Sequence, residues 1–106
     1  MNPNYIIIKA DKSLYSLSVN SILYVLARRN YCHVITDQRK YVVRTTFAKL
    51  LRGPLKKTLS KLNRSMALNA SRVTGLMINE MHFDNHCLPL HPTYLMKISK
   101  NPDQKA

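Results

Sequence analysis

A series of short apolar segments, each bounded by Asp, Asn, Ser or Arg, constrains the fold of this chain more than any other feature. The segments are rich in aliphatic and aromatic residues, and in residues 13–19 (SLYSLSV) Leu and Tyr are interleaved with Ser, which is typical of β-strands. We predict strands at residues 5–10, 13–19, 22–27, 31–36, 40–45, 66–69, 71–76, 77–83 and 86–90. Because strands follow strands along most of the chain, the fold class is predicted to be mainly β.

Polar residues mark the connections between these strands. Asp11-Lys12 suits a tight hairpin turn, because an Asp side chain can hydrogen-bond to its own local backbone. Residues 37–39 predict a second hairpin, and residues 28–30 are predicted to form a loop or bulge between two strands. Residues 84–85 are predicted to turn the chain into the last strand.

Two short helices are predicted beside the strands. Apolar residues at helical spacing predict a helix near residues 46–52, and Gly53-Pro54 ends that pattern. A closing helix is predicted near residues 92–98, because a proline suits its first turn. Residues 55–62 keep Leu at near-helical spacing but interleave it with Lys, which leaves a frayed helical turn and a basic connection as alternatives.

The length and the cysteine count predict one domain in a reducing compartment. The chain has 106 residues, which we divide into a single domain over residues 1–100 and a C-terminal tail over residues 101–106. It has neither an apolar run long enough to span a membrane nor a signal-peptide pattern. Its two cysteines do not make a disulfide scaffold. We therefore expect a soluble, cytoplasmic protein.

The net charge narrows the class of partner. Seventeen Lys and Arg against five Asp and Glu give a net charge of +12 and a pI of about 10.1. Eleven basic residues and one acidic residue lie between Arg28 and Arg64, so ten of the twelve net charges belong to the middle of the chain. Such an excess is typical of a surface that binds a polyanion, above all nucleic acid. A basic face that only keeps the protein in solution is the alternative.

Catalytic constellations are hard to assemble from these residues, so we expect no enzyme. Glu80 is the only glutamate, and paired acid–base catalysis needs two carboxylates in different environments. Cys32 and His33 look like a thiolate dyad, but neighbouring residues of a strand point to opposite faces.

A zinc site is the main cofactor alternative. His82, His86, Cys87 and His91 lie within ten residues, and all four side chains are competent zinc ligands. Their spacing does not form two close pairs, and His86 and Cys87 would point to opposite faces of a strand. We therefore expect no metal and no other cofactor.

Three polar clusters at predicted element junctions are the candidates for nucleic-acid contact: residues 28–31, 63–65 and 91–94. Their side chains can pair with phosphates and base edges, and loops on a rigid β scaffold are good positions for such contacts. The tyrosines of the first and third clusters are equally compatible with core positions, and Asn63 with a plain turn-forming role.

The sequence resembles the LytTR family of bacterial DNA-binding domains in four segments of family-like order and spacing: ILYVLARRNYC (22–32), KYVVRTTFAKL (40–50), LNRSMALN (62–69) and LPL (88–90). The strongest element is Arg64-Ser65 followed, after three further residues, by Asn69. The resemblance implies an almost all-β fold of antiparallel sheets with short helices. It also implies binding to duplex DNA through loops that enter two successive major grooves.

Carried over by position, the resemblance places DNA contacts at residues 28–31, at Asn63 and Arg64, and at residues 91–94. This sequence departs from the family at Asn63, where His is common, and at residues 91–93, where Ser and basic residues are common. The predicted DNA-binding residues are Arg28, Asn30 and Arg64 for base edges, Arg29, Lys40, Arg44 and Lys61 for the phosphate backbone, and Tyr31, Asn63, His91 and Thr93 as further contacts.

Two other function classes are compatible with the same residues. A small RNA-binding or ribosome-associated protein would use the same charge, with Tyr31 or Tyr41 stacking on unpaired bases. A protein-interaction module would hold a partner regulator by its sheet edge. If the chain binds DNA, a homodimer on repeated half-sites or a partner regulatory protein is an expected assembly.

Overall fold

The computed structural model describes residues 4–77, 79–84 and 86–89. These residues form the following elements: β1 (Tyr5–Ala10), β2 (Ser13–Ser18), β3 (Ile22–Arg28), β4 (Tyr31–Thr36), β5 (Lys40–Val43), α1 (Phe47–Leu50), α2 (Pro54–Thr58), β6 (Ser60–Asn63), β7 (Met66–Leu68), β8 (Val73–Met77), β9 (Glu80–Phe83) and β10 (His86–Pro89). The prediction of a mainly β fold with short helices is confirmed. The predicted helix near residues 92–98 and the tail at 101–106 lie outside the described residues.

The strands form three antiparallel sheets. A five-stranded sheet in the order β5-β4-β3-β7-β6 has a hydrophobic core on each of its faces. On one face, the two-stranded sheet β1-β2 and the two helices cover side chains such as Val25 and Val34. On the other face, the sheet β8-β9-β10 covers side chains such as Ile35 and Leu68. The central sheet is therefore the middle layer of the fold, and the turns between its strands lie at its ends.

Strand β3 is buried on both faces, which explains its uninterrupted apolar sequence. Ile22, Leu23, Tyr24 and Val25 are all less than 5% exposed. Ile22 and Val25 belong to the first core, and Leu23 and Tyr24 belong to the second. A strand covered on both faces loses the alternation of apolar and polar residues, because neither face meets water.

The predicted hairpins are present, and two of them end in tight turns. Asp11 and Lys12 both have positive φ, 52° and 66°, which is the backbone of a two-residue hairpin turn. The predicted hairpin at residues 37–39 is also confirmed, with the Arg39 carbonyl accepting a hydrogen bond from the Thr36 amide at 3.0 Å. Residues 28–30, predicted as a loop or bulge, belong to a two-residue hairpin between β3 and β4.

The helical segment differs from the prediction at its end. Helix α1 begins after Thr46, whose side chain accepts a hydrogen bond from the Lys49 amide at 3.2 Å, as expected of an N-cap. Gly53-Pro54 does not end the helical region but begins α2, because a proline suits the first position of a helix. The ambiguous residues 55–62 divide into the rest of this helix and the edge strand β6.

The C-terminal strands are shorter than predicted. The predicted strand at 71–76 begins at Val73, because a 3-10 turn at Ala70–Arg72 precedes it. The predicted strand at 77–83 is occupied by the end of β8, a turn and β9, which begins at Glu80. The turn contains Asn79 with a positive φ of 70°. None of the described helices has the length and apolar composition that a membrane crossing requires.

Candidate nucleic-acid interface

The tip of the β3–β4 hairpin presents four exposed polar or aromatic side chains. Arg28 and Tyr31 are the last paired residues, and Arg29 and Asn30 form the turn between them. Arg29 lies in the left-handed region with a φ of 51°, where a glycine or asparagine is less strained. Tyr31 is 43% exposed, so the alternative that it is a core aromatic is wrong.

The β6–β7 turn is organised by Asn63 and presents Arg64. The Asn63 side-chain oxygen accepts hydrogen bonds from the Ser65 amide at 2.8 Å and from the Ser65 hydroxyl at 3.2 Å. These bonds fix the turn while Arg64 remains exposed at its apex. The Asn63 side-chain oxygen therefore has the turn-forming role that the sequence left open, and Arg64 is the exposed basic side chain of this turn.

The two turns lie side by side at one end of the central sheet. The Ala27 amide, two residues before the first turn, donates a hydrogen bond to the Ser65 carbonyl at 2.7 Å. Arg44 joins this end of the sheet, because Val43 pairs with Cys32 and Arg44 follows directly. The structure thus brings together two of the three predicted contact segments, together with one of the predicted phosphate ligands.

Two other predicted contacts, Lys61 and Lys40, lie farther from the two turns. Lys61 is exposed on the edge strand β6, and its ammonium group lies 5.5 Å from the centre of the Phe47 ring. Lys40 pairs with Ile35, so it lies near the opposite end of β4 from Tyr31. His91 and Thr93 lie outside the described residues.

The basic side chains at this end of the sheet form no ion pairs within the part of the chain that the structure describes. Among the described residues, the arginines that form ion pairs are Arg39, with Asp11 at 3.3 Å, and Arg72, with Asp37 at 3.2 Å. Arg39 also stacks on two tyrosine rings, so it serves the fold rather than a ligand.

His33, on β4, lies between two of the predicted contacts. The pKa of the His33 imidazole lies below its usual value because the ring is partly desolvated, and because Lys40 and Arg28 disfavour a further positive charge.

Further exposed basic residues lie on the two helices and in the link between them, and the predicted site did not include them. Only the excess of charge in the middle of the chain signalled them, and charge alone does not separate a ligand contact from a solvated side chain. They are Lys49, Arg52, Lys56 and Lys57.

Cys32 and His33, the residues considered as a catalytic dyad, point to opposite faces of β4. Cys32 is fully buried in the first core, where the thiol pKa is raised by desolvation, and alternation along β4 directs His33 to the other face. A thiolate–imidazole dyad is therefore not formed by these two residues.

The candidate zinc ligands divide between the two faces of β10. The His86 ring lies 2.6 Å from the Tyr24 hydroxyl, whereas the Cys87 sulfur lies 3.9 Å from Nε2 of His82. The expectation that His86 and Cys87 point apart is confirmed. His82 and Cys87 nevertheless meet across the strand pair, and Glu80 joins them, with its carboxylate 3.1 Å from His82 Nε2. His91 lies outside the described residues.

Comparison with known proteins relates this chain to a family and to a solved structure. The sequence matches a family model described as the LytTr DNA-binding domain over residues 12–100. The structure is similar to the LytTr DNA-binding domain of a response regulator from Bacillus cereus, with a TM-score of 0.70 and 15% sequence identity over 93% of this chain and 96% of that chain. A search of curated proteins finds no match.

Proposed function

Since the chain belongs to the LytTR family of DNA-binding domains, we propose that it recognises a specific duplex sequence as the DNA-binding part of a bacterial transcription regulator. Its role in this proposal is binding and not catalysis, and its place of action is the cytoplasm. The partner is double-stranded DNA.

The observation that carries the proposal is the hydrogen bond between the Ala27 amide and the Ser65 carbonyl. This bond holds the β3–β4 tip and the β6–β7 turn at a fixed separation. Two exposed turns that are held in this way can contact neighbouring parts of one duplex without paying the entropy of ordering a loop. The main chain supplies the bond, so the exposed side chains of Arg28, Asn30 and Arg64 are not needed to hold the two turns together.

The shape of the hairpin tip supports insertion into a groove. The major groove of B-DNA is about 12 Å wide and admits a two-stranded β-ribbon. The end of β3–β4 is such a ribbon, and its Arg and Asn side chains carry the donors that read guanine and adenine edges. The proposal places the β3–β4 tip in one major groove and residues 91–94 in the next, with contacts across the minor groove between them.

The proposed roles follow from position and chemistry. Arg28, Asn30 and Arg64 read base edges, because they project from the two turns at the end of the sheet. The phosphate contacts are assigned to other exposed basic residues. They are Arg29 in the β3–β4 turn, Arg44 after β5, Lys61 on β6 and Lys40 at the start of β5. The remaining proposed contacts are Tyr31, Asn63, His91 and Thr93.

Competition binding at fixed salt tests the division between base and phosphate contacts. A bidentate Arg–guanine contact contributes about 1–3 kcal/mol of discrimination, whereas a phosphate contact contributes none. Arg64→Ala should therefore weaken binding to a selected operator much more than to random duplex, and Arg29→Ala should weaken both alike. Arg72→Ala, at the opposite end of the sheet, is the charge-matched control. Equal losses on both DNAs for Arg64→Ala would refute base reading by Arg64.

The salt dependence of affinity tests the electrostatic part. A plot of the logarithm of affinity against the logarithm of salt concentration should have a slope of about −0.9 for each phosphate that the protein neutralises. Lys61→Ala removes one such contact and should make the slope shallower by about 0.9. A response that is independent of salt would contradict duplex binding through this surface.

The exposed ring of Tyr31 favours one alternative partner, unpaired RNA. An exposed aromatic ring beside basic residues can stack on a base of either nucleic acid. Single-stranded RNA as a competitor distinguishes the two partners: RNA that displaces operator DNA at equal concentration would make RNA the ligand.

A further inference from the structure

We propose that Glu80, His82 and Cys87 form a binding site for a zinc-class divalent cation on the β9–β10 hairpin. This site shares no residue with the proposed DNA contacts, and no residue of it belongs to the hydrophobic cores. Its three side chains offer one carboxylate oxygen, one imidazole nitrogen and one sulfur.

The strand register brings these three residues to one face. His82 and Cys87 are directly paired across β9 and β10, so their side chains lie on the same side of the sheet. Glu80 precedes His82 by two positions in β9, and residues two apart in a strand share a face. The grouping therefore follows from the backbone of the hairpin and not from chance side-chain positions.

The spacing of the donor atoms fits a tetrahedral ion. All three ligand atoms lie within 4.8 Å of one another, with 3.1 Å between Glu80 Oε1 and His82 Nε2 and 3.9 Å between His82 Nε2 and Cys87 Sγ. Bonds of about 2.0–2.3 Å in a tetrahedral zinc site separate neighbouring ligand atoms by roughly 3.3–3.7 Å. Shifts of up to about 1 Å at the exposed side chains of Cys87 and Glu80 bring this set to that geometry.

The surroundings leave a path for the ion and space for a fourth ligand. The side chains of His82 and Glu80 are 36% and 49% exposed, and Cys87 is exposed. On the neighbouring strand β8, the residue paired with His82 is Gly75, which has no side chain to cover the ring. Water can therefore complete the coordination.

The donor types select the class of ion. Mg²⁺ and Ca²⁺ prefer oxygen ligands, whereas a thiolate, an imidazole and a carboxylate together suit Zn²⁺. As the metal–sulfur bond forms, the Cys87 thiol releases its proton to solvent. Because the three protein ligands lie at the surface, the ion would clamp β9 to β10 without being needed for the fold.

Cobalt(II) titration of the reduced, full chain tests the site. Co²⁺ replaces Zn²⁺ in such sites and gives a thiolate-to-metal charge-transfer band together with visible bands of a tetrahedral ion. We expect one equivalent to bind, Zn²⁺ to displace it, and Mg²⁺ to have no effect. The absence of a saturable spectral change would overturn the proposal.

Variants locate the ligands. Cys87→Ser should abolish the charge-transfer band, and Glu80→Gln should weaken binding by about tenfold or more, since even outer-shell changes cost metal sites about 10–100-fold. The matched control is His86→Gln, which removes a neighbouring histidine on the other face and should leave binding unchanged. A band that survives Cys87→Ser in folded protein would refute the assignment and point to the second thiol, Cys32.

A measurement on the unchanged protein guards against a variant that does not fold. Thiol alkylation followed by mass spectrometry should modify Cys87 and spare the buried Cys32 in the metal-free protein. Zn²⁺ should slow the modification of Cys87 markedly. Alkylation of Cys87 at the same rate with and without Zn²⁺ would also overturn the proposal.

Discussion

Replacing Asn69 with alanine should destabilise the fold far more than the same change at Asn63. Each asparagine caps a turn by accepting hydrogen bonds from the amide and the hydroxyl of a serine two residues later, at Ser71 and Ser65 respectively. Asn69 alone of this pair also donates from its amide nitrogen to the Ile22 carbonyl, at 3.0 Å. The comparison therefore isolates one buried hydrogen bond.

The expected magnitude follows from burial. Asn69 is 1% exposed and Ile22 is fully buried, so water cannot replace the lost donor. Loss of the turn cap costs about 1 kcal/mol, and a buried carbonyl without a partner costs about 1–3 kcal/mol more. We expect Asn69→Ala to lower the free energy of unfolding by about 2–4 kcal/mol. At the half-buried Asn63, where water can reach the turn, the loss should be about 1 kcal/mol or less.

Urea denaturation followed by circular dichroism measures both variants in the absence of DNA. The midpoint should fall for Asn69→Ala while the dependence of the unfolding free energy on urea stays unchanged, because both states expose the same surface as before. Equal losses in the two variants would refute the reasoning, since the bond to the Ile22 carbonyl would then contribute nothing beyond the cap.

Three further outcomes are expected. Burial, and then the charge of the Cys87 thiolate, raise the pKa of Tyr24 above its usual 10.0. Because the folded state holds this proton more tightly than the unfolded state, the free energy of unfolding should fall as the pH rises above 10. Tyr24→Phe should make this alkaline decline shallower. Thr46→Ala should cost about 1 kcal/mol in the same urea assay, through loss of the cap of α1. Treatment with a chelator should leave the protein folded at room temperature, because a metal at Glu80, His82 and Cys87 would lie outside the cores; unfolding on chelation would contradict this.

Local pattern predicted most of the fold, because most strand pairs are joined by short turns. The hairpin at Asp11-Lys12 needed only neighbouring residues to be predicted. Strand β6 was not predicted, because Leu59 enters one core and Leu62 enters the other, and their three-residue spacing imitates a helix. Which core receives a side chain depends on the packing of layers that are distant in sequence.

The candidate interface was predictable as a set of segments but not as a surface. The basic residues near Arg28 and Arg64 are visible in the sequence, yet the hydrogen bond that joins their turns links residues 27 and 65. The proposed metal ligands show the reverse case. Phe83 pairs with His86, which places His82 opposite Cys87, so the grouping was available from the predicted hairpin once the register was counted.

The main-chain bond between Ala27 and Ser65 bears on how such a domain can evolve. Neither the donor nor the acceptor depends on a side chain, so the geometry of the two turns survives substitution of the residues they present. Arg28, Asn30 and Arg64 can change while the scaffold stays the same, and the fold is retained at 15% identity in the Bacillus cereus domain. A library randomised at these three positions should therefore remain largely folded and yield variants with new operator preferences.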